Sequence, residues 1–342
     1  MSKVLFILHR DHNTIHDELS STLYYASTFI HEMLKDSGIE SIFELAINAS
    51  NINPLVKKHN PTHVIIESLW VNPIVFNSLC KIHPNVQWIG RIHCEIPHLA
   101  GATDSLEYIA KYYDFENVVI SPNSTRMLHD VSVYLKSRNG SIDKIIHLPN
   151  FYPQTYKTKT IDKNKEYIDI SCFGAIRLLK NHIMQAISAI EFANQIGKKL
   201  RFHTNTTRIE MEGDNVISNL KMLFEQLKDT GHVMINHDWQ PRDEFLELCS
   251  KMDIGMQVSI TESFNIVAAD LISQGVPIVG PIGEIPWAVP EFSALYSNGE
   301  DIIKKLHIAY NHSLENVQAH QTSLKSYTDE TIKIWKEYFG KT

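Results

Sequence analysis

Short apolar, β-rich runs alternate with helix-patterned stretches along this chain, and the alternation occurs in two series separated by a polar segment. In the first series, residues 4–8, 41–45, 63–67, 86–93, 118–121 and 144–148 read as strands. Residues 21–34, 73–82, 105–112 and 123–135 read as helices. Strands that alternate with helices imply a parallel sheet covered on both faces. The second series places strands at 168–173, 199–203, 233–235, 254–259, 276–280 and 293–296, and helices at 182–195, 215–228 and 242–251. Between the two lies 149–166, Lys-rich, carrying Pro153 and lacking hydrophobic periodicity, which reads as a linker. The tail 328–339 is helix-patterned, with Trp335, Tyr338 and Phe339 available for docking. The expected fold class is α/β: two doubly wound domains facing a cleft, residues 1–150 and 167–327, joined by 151–166 and followed by a C-terminal helix, 328–342.

A chain of 342 residues suits two such domains, and a 43% hydrophobic composition gives each a core. The net charge of −7 counts against general nucleic-acid binding, which relies on a surplus of phosphate-contacting cations. Cys80, Cys94, Cys172 and Cys249 are scattered, with no Cys-x-x-Cys, so neither a zinc site nor a disulfide framework is indicated. A reducing, cytoplasmic location is the expectation. The apolar run at 4–8 is too short for a signal peptide and reads as a buried first strand. No apolar run approaches the roughly 18–20 residues that span a membrane. Among the 18 histidines no metal-ligand spacing occurs, and no metal site is expected.

The densest functional signal is Glu262-Ser263-Phe264-Asn265-Ile266-Val267-Ala268-Ala269-Asp270-Leu271-Ile272-Ser273-Gln274-Gly275-Val276-Pro277-Ile278-Val279. A strand runs into this segment and another leaves it through the turn at Gln274-Gly275. Glu262 and Asp270 are eight positions apart, a little over two turns at 3.6 residues per turn, so both acids are expected to project from nearly the same helix face. In an open α/β sheet, ligands collect at the carboxyl ends of strands, where helix amino termini point at them. An acid there, followed by small and polar residues, suits a ligand carrying hydroxyls and phosphate. A second cluster, Phe173-Gly174-Ala175-Ile176-Arg177-Leu178-Leu179-Lys180-Asn181, follows the first strand of the second series and opens a helix. It offers two cations near a helix start, a good site for a diphosphate.

The Glu262 segment resembles the retaining glycosyltransferases of the GT-B fold, in particular family 4. Their signature reads roughly E-S-F-G-x-x-x-x-E-A-M-A-x-G-x-P-V-V. Here Asn265 stands where the pattern has Gly, and Asp270 where it has the second Glu, one methylene shorter. The second cluster resembles the family element G-R-L-x-x-x-K-G. Lys180 falls six residues after Gly174 as in the pattern, the Arg is displaced to Arg177, and Asn181 stands in place of Gly. The specific motifs cover about 40 residues; the resemblance covers most of the chain only as architecture. It implies two Rossmann-like domains, with the last helix crossing back to the first domain. It also implies a nucleoside diphosphate sugar as co-substrate, no cofactor and no metal. Arg177 and Lys180 would bind the donor diphosphate, and Glu262 would hold sugar hydroxyls. The backbone amides of Ser263, Phe264 and Asn265 would contact sugar or phosphate, and Asp270 the ribose. Same-face attack assisted by the leaving phosphate is the route it implies.

Family members often carry a His at the strand end occupied here by Arg91-Ile92-His93-Cys94-Glu95, facing the sugar. His93 is therefore a candidate catalytic or hydroxyl-binding residue, with Glu95 and His98 as weaker companions. The loop His9–His16 lacks the Gly-Gly pair of many relatives and offers polar side chains instead. Asp11 and His12 are its acceptor-side candidates, and the expected acceptor is polar. His203-Thr204-Asn205 and His237-Asp238-Trp239 follow strands where relatives hold the nucleobase. The helix with Leu23, Phe29, Ile30, Met33 and Leu34 lacks a Lys/Arg face, against a membrane-surface helix and a lipid acceptor. Three other readings stay open. One is a transferase acting on a hydroxylated base in DNA, which the acidic charge disfavours. The others are a GT-B sugar-nucleotide epimerase and a degenerate GT-B domain that binds without catalysis.

Overall fold

The computed structural model describes residues 2–10, 22–102, 104–138 and 141–340. The chain divides into two compact units, Met1–Pro153 with Thr328–Thr342, and Gln154–Tyr327. In the first unit, β1 (Lys3–His9), β2 (Glu40–Ala46), β3 (His63–Glu67), β4 (Gln87–Ile92) and β5 (Val118–Pro122) form a parallel sheet of order β2-β1-β3-β4-β5. The burial pattern of β3 shows every residue covered, as expected of a strand with helices on both faces. One core lies around Leu5, Ile7, Val64, Ile66, Phe76, Trp88 and Tyr112. The other gathers Val4, Phe6, Ile30, Leu34 and Ile65 around Trp335 and Phe339 from the end of the helix Ser313–Phe339. Trp335 Nε1 donates to Pro149 O at 2.8 Å, and Ser2 Oγ to Phe339 O at 2.6 Å.

Residues 144–148 do not form the expected strand. Only a bridge between Ile120 and Ile145 forms, with Ile120 N donating to Lys144 O and Ile146 N to Ile120 O, each at 2.9 Å. The short segment caps the β5 edge before the chain turns away at Pro149. The helix Ile52–His59 is one that hydrophobic periodicity misses. It is set up by a capping box between Asn48 and Asn51 ahead of it and closed by left-handed Asn60.

The second unit has β6 (Tyr167–Ser171), β7 (Lys199–Asn205), β8 (Val233–His237), β9 (Ile254–Met256), β10 (Ile278–Pro281) and β11 (Ser293–Ala294), parallel in the order β11-β10-β9-β6-β7-β8. The order reverses between β6 and β9, which is where an open α/β sheet offers a crevice at its strand ends. The segment before β6 is held to this unit. Lys157 N donates to Ser273 O at 2.7 Å, and Lys159 Nζ to Ser250 O and Met252 O at 2.8 and 2.6 Å. Two helices escape the sequence pattern: Gly299–Asn311, capped by Asn298 on Asp301 N at 3.1 Å, and the first half of Ser313–Phe339.

Candidate active site

Glu262 is not on the helix that carries Asp270. The helix is Ile266–Ser273, and its N-cap is Asn265 at φ 63°, ψ 84°, with the side chain accepting from Ala268 N at 2.9 Å. The left-handed turn at Asn265 breaks the helical path, so the eight-residue spacing does not put the two acids on one helix face. Glu262 instead sits in the loop after β9, ahead of the helix start. The same turn explains why Asn stands where the motif has Gly. Both tolerate positive φ, and Asn supplies a cap as well. Asn181, at the other motif Gly position, is also left-handed, at φ 58°. Its Nδ2 donates to Val258 O at 3.1 Å and to Tyr296 O at 2.9 Å.

These bonds belong to a brace that ties the loop after β6 to the loop after β9. Gly174 opens the first loop at φ +118°, its N–H donating to Asn205 Oδ1 at 3.2 Å. Ile260 N donates to Leu179 O at 2.9 Å, Gln185 Nε2 to Lys180 O at 2.7 Å, and Val258 N to Gln185 Oε1 at 2.9 Å. Across the brace, Lys180 Nζ hydrogen-bonds Glu262 Oε1; the side chains are 13% and 8% exposed. Two residues singled out from different motifs thus meet. Ser263 follows Glu262 in the same loop. Phe264 is buried, with its carbonyl accepting from Trp287 Nε1 at 3.0 Å.

Arg177 has a different partner. Its Nη1 meets Glu210 Oε2 at 2.9 Å, while Arg208 Nε meets Glu210 Oε1 at 2.7 Å. Burial alone would raise the Glu210 carboxyl, but Arg208 and Arg177 hold it below the usual carboxylate range. Asp270 is buried and held by Arg242, Nη2 to Oδ1 at 2.7 Å and Nη1 to Oδ2 at 3.3 Å. Arg208, Glu210 and Arg242 were not singled out from the sequence. Nothing local marks them; each is defined by a partner about 30 positions away or by the bridge between Ile176 and Ile209. In the segments read as base-holding, His203 Nε2 faces Asp169 Oδ1 at 2.9 Å and His203 Nδ1 faces His237 Nε2 at 2.8 Å.

In the first unit, His93 follows the end of β4, and its Nε2 hydrogen-bonds Glu67 Oε2, from the end of β3. Arg91 Nη1 donates to both Glu67 oxygens, at 3.2 and 3.3 Å. Its Nη2 donates to Asn150 Oδ1 at 2.6 Å, and its guanidinium lies 5.2 Å from the Trp335 ring centre. Burial would raise Glu67, but Arg91 and His93 outweigh it and keep the carboxyl below its ordinary range. Burial, then Arg91, push His93 down, against Glu67, so the imidazole is neutral near pH 7. Glu67 is a further residue the sequence reading passed over; an acid ending an otherwise apolar strand was the available signal. Glu95 is turned into the interior, bonded to Ser124 Oγ and to Arg126 Nε at 3.2 Å. Asp11 and His12 lie outside the described residues. No group of three or more potential metal ligands occurs among the described residues.

No family model matches the chain, and no curated protein matches it. Solved structures do match. The trehalose-6-phosphate synthase OtsA is similar at a TM-score of 0.70 and 10% identity, covering 99% of this chain and 98% of that one. HepE of Anabaena, solved with UDP-glucose, gives 0.69 and 11%, covering 98% and 100%. A UDP-forming α,α-trehalose-phosphate synthase from Burkholderia vietnamiensis gives 0.69 and 8%, covering 99% and 98%. At these identities the likeness shows the fold. The chain has the α/β GT-B fold, two parallel-sheet units, over essentially its full described length.

Proposed function

We propose that the protein is a glycosyltransferase of the retaining, family-4 kind, moving a sugar from a nucleoside diphosphate sugar to a polar acceptor without a metal ion. The observation that carries the reading is the contact between Lys180 and Glu262, 82 residues apart in sequence and both at strand-to-helix junctions of the second unit. A cation and a carboxylate meeting beside two helix starts suit a ligand that is anionic at one end and hydroxylated at the other. That UDP-glucose is the ligand solved in HepE, a structure of the same fold, supports this choice of donor.

In this reading Lys180, with Arg177 and Arg208, neutralises the diphosphate as it leaves. Glu262, released from Lys180 by the incoming phosphate, accepts hydrogen bonds from sugar hydroxyls. The amides of Ser263, Phe264 and Asn265 complete that loop's donors, and Asp270, fixed by Arg242, takes the ribose. Same-face attack assisted by the leaving phosphate gives retention and needs no protein nucleophile. The chain contains no Asp-x-Asp motif, and three cations supply the charge a divalent ion would bring. The test is a thermal-shift screen against a panel of nucleoside diphosphate sugars, followed by donor turnover with and without EDTA. A stabilising donor raises apparent stability by mass action, and turnover survives chelation. Loss of turnover in EDTA, restored by magnesium or manganese, would remove the account of leaving-group stabilisation.

A further inference from the structure

The buried cluster of the first unit has a chemistry that the donor reading leaves unused. Glu67 and Arg91 are both fully buried, at the ends of adjacent parallel strands, while His93 is 13% exposed. Burying a carboxylate is expensive unless it is paired and hydrogen-bonded. Here Arg91 supplies the pair, and its other donors are taken up by Leu148 O, at 3.3 Å from both Nε and Nη2, and by Asn150 Oδ1. The guanidinium is thereby fixed, and with it the carboxylate. An ionised carboxylate only accepts hydrogen bonds, so the His93 nitrogen facing it, Nε2, carries the hydrogen. A neutral imidazole has one N–H, so Nδ1 is then the accepting nitrogen.

We infer that Glu67 is a positioning residue that locks His93 in the Nε2–H tautomer, so that Nδ1 accepts a hydrogen bond from a sugar hydroxyl during transfer, with no proton passed to the ring. The inference rests on the glycosyltransferase reading for its substrate, but the tautomer itself does not. Arg91 serves the same end by keeping Glu67 ionised. The arrangement follows the logic of other carboxylate–histidine pairs, in which the acid orients the ring without taking its proton.

The tautomer is read directly by long-range proton–nitrogen correlation on protein labelled at histidine nitrogen, with His93→Gln identifying the resonances. The expected result in the native protein, with no substrate added, is a neutral His93 protonated at Nε2. A hydrogen on Nδ1 would overturn the inference whatever the activity proves to be. Glu67→Gln adds the functional arm. Its amide can donate as well as accept, so the His93 tautomer becomes mixed, and turnover falls by about 10²-fold or more while donor affinity holds. In a His93→Gln background the same change leaves the remaining turnover within about twofold, because the partner it acts through is gone. An equal loss in both backgrounds would show that Glu67 serves only the fold. Absence of turnover with any donor in the native protein would defeat the transferase reading and leave the tautomer measurement standing.

Discussion

The Arg91–Glu67 pair of the first unit and the Lys180–Glu262 pair of the second are built differently. Arg91 and Glu67 have no exposed side-chain surface, and the remaining donors of Arg91 go to backbone and amide oxygens of the same unit. Lys180 and Glu262 are 13% and 8% exposed and lie between loops braced by a backbone bond from Ile260 to Leu179 and by the side chains of Asn181 and Gln185. A buried pair whose every arm is engaged cannot exchange partners without exposing a charge to the interior. A pair at the lip of two loops can, because water or a ligand takes over as the partners separate. The first pair therefore belongs to the frame, whereas the second can open; under the function proposed above it would do so to receive a diphosphate on the lysine and hydroxyls on the acid.

Substitutions that break one member of each pair separate these roles. Arg91→Met should destabilise the first unit most, by about 3–5 kcal/mol, because it strands Glu67 without a counter-charge. Chemical denaturation checks this; a cost below ~1 kcal/mol would mean that Glu67 is relieved by protonation or water and that the cluster is less rigid than its geometry. Lys180→Ala and Glu262→Ala should cost little stability, since each leaves a partner that can reach solvent. Each should lower transfer by 10²-fold or more, about 2.7–4 kcal/mol of barrier, the usual cost of one preorganised charge contact. Near-native turnover in either would end the proposed donor site, and a large fall in melting temperature would make that pair structural as well.

The frame was more legible than the site. The helices at 73–82 and 182–195 and the strand at 63–67 emerge with those bounds; the first is marked by apolar periodicity together with an Asn72 cap and Pro73 at its start, the other two by the apolar pattern without a side-chain cap. The strand at 144–148 failed because an apolar run records burial, not pairing; a single bridge uses only part of it. Of the site, single residues were visible and their partners were not. Lys180 and Glu262 are marked by local motifs, but the Arg242–Asp270 and Arg208–Glu210–Arg177 contacts depend on how separate loops fold back. The same-face placement of Glu262 and Asp270 failed because helical spacing was applied across a residue that is not helical. The Asn at that position already carried the warning, as a left-handed former in a Gly position.

The histidines extend the contrast between frame and lip. His182 and His320, both in the second unit, are buried and pushed down to about 3 and about 4 by desolvation. In the unfolded chain each takes its proton near 6.5. Between that value and the folded one the unfolded state binds more protons, so stability is full above about pH 6.5 and falls as the pH drops. Each group contributes a slope of up to about 1.4 kcal/mol per pH unit through that window. His182→Leu should remove one such slope between pH 6 and 5, for a difference of about 1–2 kcal/mol, and should not weaken the protein at pH 5, because neither ring nitrogen has a hydrogen-bond partner. Parallel stability–pH curves for the two proteins would show that His182 is protonated, or solvated, in the fold.

The smallest effect tests the left-handed turn that starts the helix Ile266–Ser273. Asn265 serves the helix Ile266–Ser273 in two ways, by occupying φ 63° and by capping it through Ala268 N, and its Nδ2 also donates to Gln257 Oε1 at 3.0 Å. Alanine loses both, at about 1 kcal/mol for the cap and about 1–2 kcal/mol for a side chain in the left-handed region. Glycine loses the side-chain cap but takes the backbone angle freely, and a Gly in place of a capping Asn costs only a few tenths. Both variants also lose the Nδ2 bond to Gln257, so the expected order of stability is Asn265 first, then Gly, with Ala lower than Gly by about 1–2 kcal/mol. Transfer should follow the same order, because the turn sets where Glu262 stands relative to the helix. If Ala matched Gly in both measurements, the left-handed turn would not be what positions Glu262, and the Asn would owe its place to the bond between its Nδ2 and Gln257 Oε1 at 3.0 Å instead.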